Sequence, residues 1–276
     1  MNRSAQTPFE GVIETEAGAT FINTIGRGPL VFVVHGGPGF DHTYLYPPLQ
    51  SLTDRRTLVF YDQPGCGRTP RPAEGLSLQG CSAHLRSLVD HFADGNSIGV
   101  VAHSWGALVL AGALSGARQG DRALPEIGEG LLINPMPVSS EKYESARAVL
   151  IDRMPMIARI RAPLTALLSG DGAAVMKQLL PFYVVDPATI PAGALPLTLA
   201  TFKTLDSQLK GFDFSGDLAP LRNVTIVRGS HEFASQSDIA QLVDQCAALL
   251  TMERVGHFPF WEAPDEFQAI VARAFP

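Results

Sequence analysis

Hydrophobic positions along the chain gather into short unbroken runs separated by longer amphipathic stretches, and the first such run is Leu30-Val31-Phe32-Val33-Val34. A brief apolar run bounded by turn residues predicts a strand buried on both faces. Ahead of it, Phe9 to Ile25 alternates and predicts an antiparallel hairpin, with Gly26-Arg27-Gly28-Pro29 as the turn that follows. Beyond it, the pattern predicts a short helix over Leu45 to Leu52, a strand over Leu58 to Tyr61 and a helix over Ser77 to Phe92. A strand over Ser97 to Ala102, a helix from Trp105 to Arg118 and a strand over Gly130 to Asn134 complete this half. Such alternation predicts an α/β fold with a mainly parallel sheet covered on both faces.

The alternation stops at about Pro137. Helical stretches punctuated by proline follow: Ser140 to Arg153, Pro155 to Ile160, Leu164 to Leu180 and Leu197 to Lys210. Strand character resumes at Asn223 to Gly229, followed by a predicted helix over Ser237 to Leu249, a last strand over Thr251 to Val255 and a closing helix over Phe267 to Phe275. The expected organisation is one core made of residues 1–138 and 216–276, with a helical insert over 139–215.

Composition narrows the partners. A net charge of −6 argues against nucleic acid and anionic membrane surfaces, leaving a small molecule as the expected partner. The three cysteines, Cys66, Cys81 and Cys246, are widely spaced and lack metal-ligand spacing, so free thiols and no metal are expected. Met1 to Pro8 lacks the apolar core of a signal peptide, which makes the cytoplasm the expected compartment. Oligomeric state is not legible.

Chemistry enters with Val100-Val101-Ala102-His103-Ser104-Trp105-Gly106. A serine ending a strand and opening a helix, with small residues two before and two after, has the form of a nucleophile elbow. Ala102 stands where glycine is usual and adds only a methyl group. After the Leu30 strand comes His35-Gly36-Gly37-Pro38-Gly39, a loop able to turn a backbone N–H toward a reacting carbonyl. Gly37, with the amide of Trp105, is the candidate oxyanion donor. Asp62-Gln63-Pro64-Gly65-Cys66-Gly67-Arg68-Thr69 and Gly256-His257-Phe258-Pro259 follow in order.

With H-G-G-P-G, D-Q-P-G-C-G-R-T, the serine elbow and G-H-F-P in this order, the chain resembles the α/β-hydrolase superfamily, and within it the prolyl iminopeptidase-like branch. The resemblance implies an α/β-hydrolase fold with an inserted helical cap, a Ser, acid, His order of catalytic groups, and no cofactor. In one respect the chain departs from that branch. Prolyl iminopeptidases carry a W-x-x-W-E element in the cap, whereas the tryptophans here are Trp105 and Trp261, both outside it.

Seven histidines compete for the role of base. The resemblance selects His257. His35 is expected to shape the glycine-rich loop and to border the substrate pocket, His103 to play a structural part, and His84 and His91 to share a solvated helix face; His42 could line the entrance but is assigned no role. For the acid, Gly229-Ser230-His231-Glu232 puts Glu232 where the family carries aspartate, with Asp238 and Asp206 as weaker alternatives. Asp62 and Arg68 are expected to hold their loop, and Glu262 to cap the terminal helix region or pin the histidine loop.

The expected function is hydrolysis of an ester, lactone or amide of a small hydrophobic molecule through an acyl-enzyme on Ser104, with Phe182 and Tyr183 in the substrate pocket. Methionines and leucines between Met154 and Leu180 suggest an apolar pocket, although at such spacings they more often form an ordinary insert core. Proline iminopeptidase activity is the alternative within the class. A lyase, an isomerase or a ligand-binding protein on the same fold is the alternative outside it.

Overall fold

The computed structural model describes residues 8–115, 124–216, 218 and 221–276. Met1 to Thr7, part of the segment judged to lack a signal peptide, and the predicted helix end at Arg118 lie outside these. Strands β1 (Phe9–Thr15) and β2 (Gly18–Gly26) form the expected antiparallel hairpin. Then come β3 (Leu30–Val34), α1 (Tyr46–Leu49), β4 (Thr57–Tyr61), α2 (Leu78–Ala93), β5 (Ile98–His103), α3 (Trp105–Ser115) and β6 (Ile127–Ile133). The helices α4 (Ser140–Arg153), α5 (Met156–Leu168), α6 (Gly172–Leu179) and α7 (Leu199–Asp206) precede β7 (Leu221–Gly229). The chain closes with α8 (Ala240–Val243), β8 (Cys246–Met252), α9 (Pro259–Glu262) and α10 (Pro264–Ala274).

The eight strands make one sheet in the order β1-β2-β4-β3-β5-β6-β7-β8. The antiparallel pairs are β1–β2 and β2–β4, at one edge; β3 to β8 run parallel. Period-two alternation sends Phe32 and Val34 into a core under α2 and α3, and Val31 and Val33 into a second core under α10. Apolar residues therefore fill both faces of the central strands. α3 is buried along its whole length, as a helix apolar all round must be.

The largest departures from the expected boundaries fall in two regions, β8 and the insert. The predicted helix over Ser237 to Leu249 stops at Val243, and Cys-Ala-Ala-Leu-Leu-Thr-Met is strand β8 instead of helix. Its ladder to β7 overrides the helical preference of alanine and leucine, since without it β7 would leave a bare edge. The predicted strand over Thr251 to Val255 accordingly begins five residues earlier, at Cys246, and turns at Arg254, whose φ is +60°. In the insert, α5 runs through Pro163 and ends at Leu168, where Asp171 caps α6 by accepting from the amides of Ala173 and Ala174. The segments predicted as Pro155 to Ile160 and Leu164 to Leu180 are thus divided at Ser169–Asp171 rather than at Pro163.

Candidate active site

Ser104, Glu232 and His257 follow the C-terminal ends of the parallel strands β5, β7 and β8, where an open α/β sheet presents its ligands. Ser104 has φ +53°, the left-handed conformation of a sharp strand-to-helix turn. The turn is tight enough that a Cβ on Gly106 would meet the carbonyl oxygen of Val34, so glycine is required there. Ala102, in contrast, sits buried in the ladder between Val34 and Leu132, and its methyl group is accommodated.

His257 Nδ1 lies 2.6 Å from Glu232 Oε2, and its Nε2 lies 3.0 Å from Ser104 Oγ. The matching tautomer has Nδ1–H donating to the carboxylate, which leaves Nε2 to accept from the serine hydroxyl. Glu232 Oε1 accepts from the amide of Phe233 at 2.9 Å. Ser104, Glu232 and His257 are all at most 5% exposed. Asp238 accepts from Ser235, and Asp206 bonds Tyr143, so neither alternative acid meets the imidazole.

Four side chains hold the histidine and acid loops. The Glu262 carboxylate accepts from the amides of Gly256, Phe258 and Val185, pinning the loop that carries His257. Asn134 donates to the carbonyl of Gly256 and accepts from the amide of Gly229, tying the two loops together. Arg153, at the end of α4, donates to the carbonyls of His231 and Glu232 at 2.7 and 3.2 Å. Finally, His103 Nε2 lies 3.0 Å from the His257 carbonyl and His103 Nδ1 lies 2.7 Å from Tyr44 Oη, which accepts from the amide of Gly36. Burial, with His257 close by, holds His103 well below the usual imidazole range, so neutral His103 accepts from Tyr44 and donates to His257. Sequence reading singled out neither Tyr44 nor Asn134.

The glycine-rich loop is built the same way. Gly37 has φ +129°, and a Cβ there would meet the amide nitrogens of Gly39 and Phe40. Trp105 opens α3, so its N–H has no partner within the helix. Its indole is buried and donates to Gln63 Oε1 at 2.7 Å, while Gln63 Nε2 donates to the carbonyl of His35 at 2.6 Å. His35 in turn accepts from the Gln63 amide through Nε2, and burial lowers its pKa. Serine elbow, glycine-rich loop and Asp62 loop are thereby locked into one unit.

A cavity of about 230 Å³ opens over Ser104 and His257. Gly37 and Met136 from the sheet side line it together with Tyr143, Leu150, Met176 and Tyr183 from the insert. Tyr183 stands edge-on to His257 with ring centroids 5.3 Å apart, and its carbonyl accepts from the His257 amide. Two pocket expectations are corrected. His35 is fully buried behind the loop and bonded to Gln63, and neither it nor Phe182 lines the cavity that Tyr183 borders.

Other histidines are corrected as well. His42 is buried against Asp62, 2.7 Å from Nδ1 to Oδ1, rather than standing at an entrance. Asp62 also accepts from the backbone amide of Arg68, whose guanidinium reaches out to Glu10 and over the ring of Phe21. His84 is buried on Thr20 instead of sharing a solvated face with His91.

Comparison with known proteins agrees with this architecture. The alpha/beta hydrolase family matches residues 30–270. The chain belongs to the α/β-hydrolase family. It is 30% identical over 107 residues to a proline iminopeptidase of Heyndrickxia coagulans, covering 37% of this chain and 36% of that protein. A proline iminopeptidase of Lactiplantibacillus plantarum is 37% identical over 87 residues, 30% of this chain and 29% of that protein. These matches span about a third of the relatives' length.

Solved structures share the fold over nearly the whole chain. An alpha/beta fold family hydrolase of Bacillus anthracis str. Sterne superposes with a TM-score of 0.72 at 16% identity, covering 97% of this chain and 99% of that one. An esterase of Exiguobacterium antarcticum gives 0.69 at 13% identity, covering 97% and 100%.

Proposed function

We propose that the chain is a serine hydrolase that cleaves an ester, lactone or amide of a small hydrophobic molecule through an acyl-enzyme. The observation that carries this reading is the buried Ser104–His257–Glu232 chain, joined at 3.0 and 2.6 Å on the floor of the cavity. His257 Nε2 takes the proton of Ser104 as Oγ bonds to the substrate carbonyl carbon, and the imidazolium is balanced by Glu232. The oxyanion is received by the N–H groups of Gly37 and Trp105. His257 then protonates the leaving group, freeing it and leaving an ester on Ser104. Water, deprotonated by the same nitrogen, attacks that ester and releases the acid.

Residues 139–215 serve as the cap in this reading, because α4, α6 and the Tyr183 segment supply much of the cavity wall. A volume of about 230 Å³ is below the roughly 300–1,000 Å³ of drug-sized sites, which favours a small acyl group. Its lining of Phe40, Leu150, Met176, Leu179 and Phe233 favours an apolar one.

A fluorophosphonate tests the mechanism directly. It is expected to label the wild type at one residue, stoichiometrically, and to leave Ser104→Ala unlabelled. Equal labelling of the variant overturns the serine mechanism, and an unlabelled wild type favours a lyase or binding protein.

A second reading, proline iminopeptidase, has one observation in its favour besides the relatives. Asp206 lines the cavity and accepts from Tyr143 Oη through Oδ1 at 3.1 Å, leaving Oδ2 open to a substrate ammonium. The readings part on Asp206→Asn. Under the ester reading it changes kcat/KM for p-nitrophenyl butyrate and for proline p-nitroanilide by similar, small factors. Under the iminopeptidase reading the anilide alone loses about 100-fold, the value of one charged hydrogen bond.

A further inference from the structure

Helix α5 is amphipathic in the wrong sense for a helix that covers a core. Its small residues face inward: Ala162 is buried, and Ala158, Thr165 and Ala166 are half-buried. Its large ones face out. Met156, Ile157, Ile160, Leu164, Leu167 and Leu168 are between 47% and 76% exposed. At 3.6 residues per turn these six fall within an arc of about 120°. Contiguous apolar surface of this kind marks an interaction site, whereas single exposed side chains do not.

Charge selects the partner. The expectation of no membrane contact rests on a whole-chain charge of −6, but residues 140–180 carry six cations and four anions. α5 itself holds Arg159 and Arg161 and no acidic residue. On the helical wheel Arg161 adjoins one edge of the apolar arc and Arg159 lies beyond the other. Arg159 touches Asp152 at 3.6 Å, while Arg161 has no ion pair or hydrogen bond among the described residues. Two copies of this face would therefore meet without acidic partners on it for their arginines. Size argues the same way, because one face of a helix about 20 Å long and 10 Å wide falls well short of the about 800 Å² per partner of a standard protein interface.

We infer that this face of α5 docks onto an anionic lipid surface, with the aliphatic side chains among the acyl chains and Arg159 and Arg161 at the headgroups. That geometry is a helix lying in the interface plane. No helix among the described residues is long and apolar enough to cross a membrane, so contact through α5 is peripheral. α5 packs on α6, which turns Val175, Met176 and Leu179 to the cavity. Docking would thus hold the cavity beside the surface. The inference concerns binding alone and stands apart from the hydrolase reading.

Flotation of the full chain with vesicles tests it. The wild type is expected to float with phosphatidylglycerol-containing vesicles, less with pure phosphatidylcholine, and less again as salt screens the arginines. Leu164→Glu combined with Leu167→Glu should weaken binding about tenfold or more, with the melting temperature and the circular dichroism spectrum unchanged, since both side chains are exposed. Arg161→Glu should weaken binding to the anionic vesicles only. Absence of wild-type binding to the phosphatidylglycerol-containing vesicles, or undiminished binding by the double variant, overturns the inference. So does a dimer in sedimentation that the double variant splits, because the face then belongs to a second copy.

Discussion

Ser104→Ala is expected to lower kcat for a p-nitrophenyl ester by about 10⁵- to 10⁶-fold while leaving the melting temperature within a few degrees of wild type. Only one oxygen is removed, and the strained φ of +53° is held by backbone bonds that alanine keeps: the amide of residue 104 to the carbonyl of Ile133, and its carbonyl from Ala107 and Met136. His257→Ala should cost a similar factor, because without the imidazole Nε2 to accept its proton the hydroxyl remains a weak nucleophile. It should also lower stability, since the ring packs against Tyr183, Phe233 and Phe258 and its removal leaves a void. The double variant is the informative one. In the proposed mechanism serine and histidine act in a single proton transfer, so their losses should not add, and Ser104→Ala with His257→Ala should be little slower than either alone. Multiplicative losses, or near-wild-type turnover in Ser104→Ala, would mean that the chemistry does not pass through this pair.

Much of this site is legible in the sequence because its demands are local. The elbow needs a small residue at Gly106 and the glycine-rich loop needs Gly37, and both requirements come from backbone within a few residues or in the adjoining strand. Buried parallel strands announce themselves as unbroken apolar runs, which is why β3, β4 and β5 fall where expected. What escapes is whatever only the folded chain brings together. Tyr44 meets His103 across 59 positions and Asn134 meets Gly256 across 122, and neither has a local pattern that sets it apart. β8 fails for the opposite reason. Its local pattern is informative but misleading, since an alanine- and leucine-rich segment becomes a strand once β7 offers an edge. His35 and Phe182 fail more narrowly: Gly37 and Tyr183, close to them in sequence, line the cavity, and they do not.

The carboxylate offers the sharpest test of how closely the loop is built around its side chain. Glu232→Gln is expected to lower kcat by about 10³- to 10⁴-fold, because an amide cannot balance the imidazolium and can hold the ring in the wrong tautomer. Folding should survive, since the amide oxygen can still accept from Phe233 as Oε1 does at 2.9 Å. Glu232→Asp restores the family's usual residue and is nevertheless expected to be slower than wild type, by about 10- to 100-fold. Aspartate is shorter by one carbon–carbon bond, about 1.5 Å, and the present contact to Nδ1 is already 2.6 Å. The backbone is not free to follow. Arg153 clamps the carbonyls of residues 231 and 232, the His231 amide donates to Val255, and Asn134 holds Gly229. Aspartate therefore loses either the imidazole or the amide of Phe233. Steady-state kinetics on one chromogenic ester, with melting temperatures as the control, reads all three proteins. Wild-type rates in Glu232→Gln would place the acid elsewhere, and wild-type rates in Glu232→Asp would show that the clamped loop yields more than its hydrogen bonds imply.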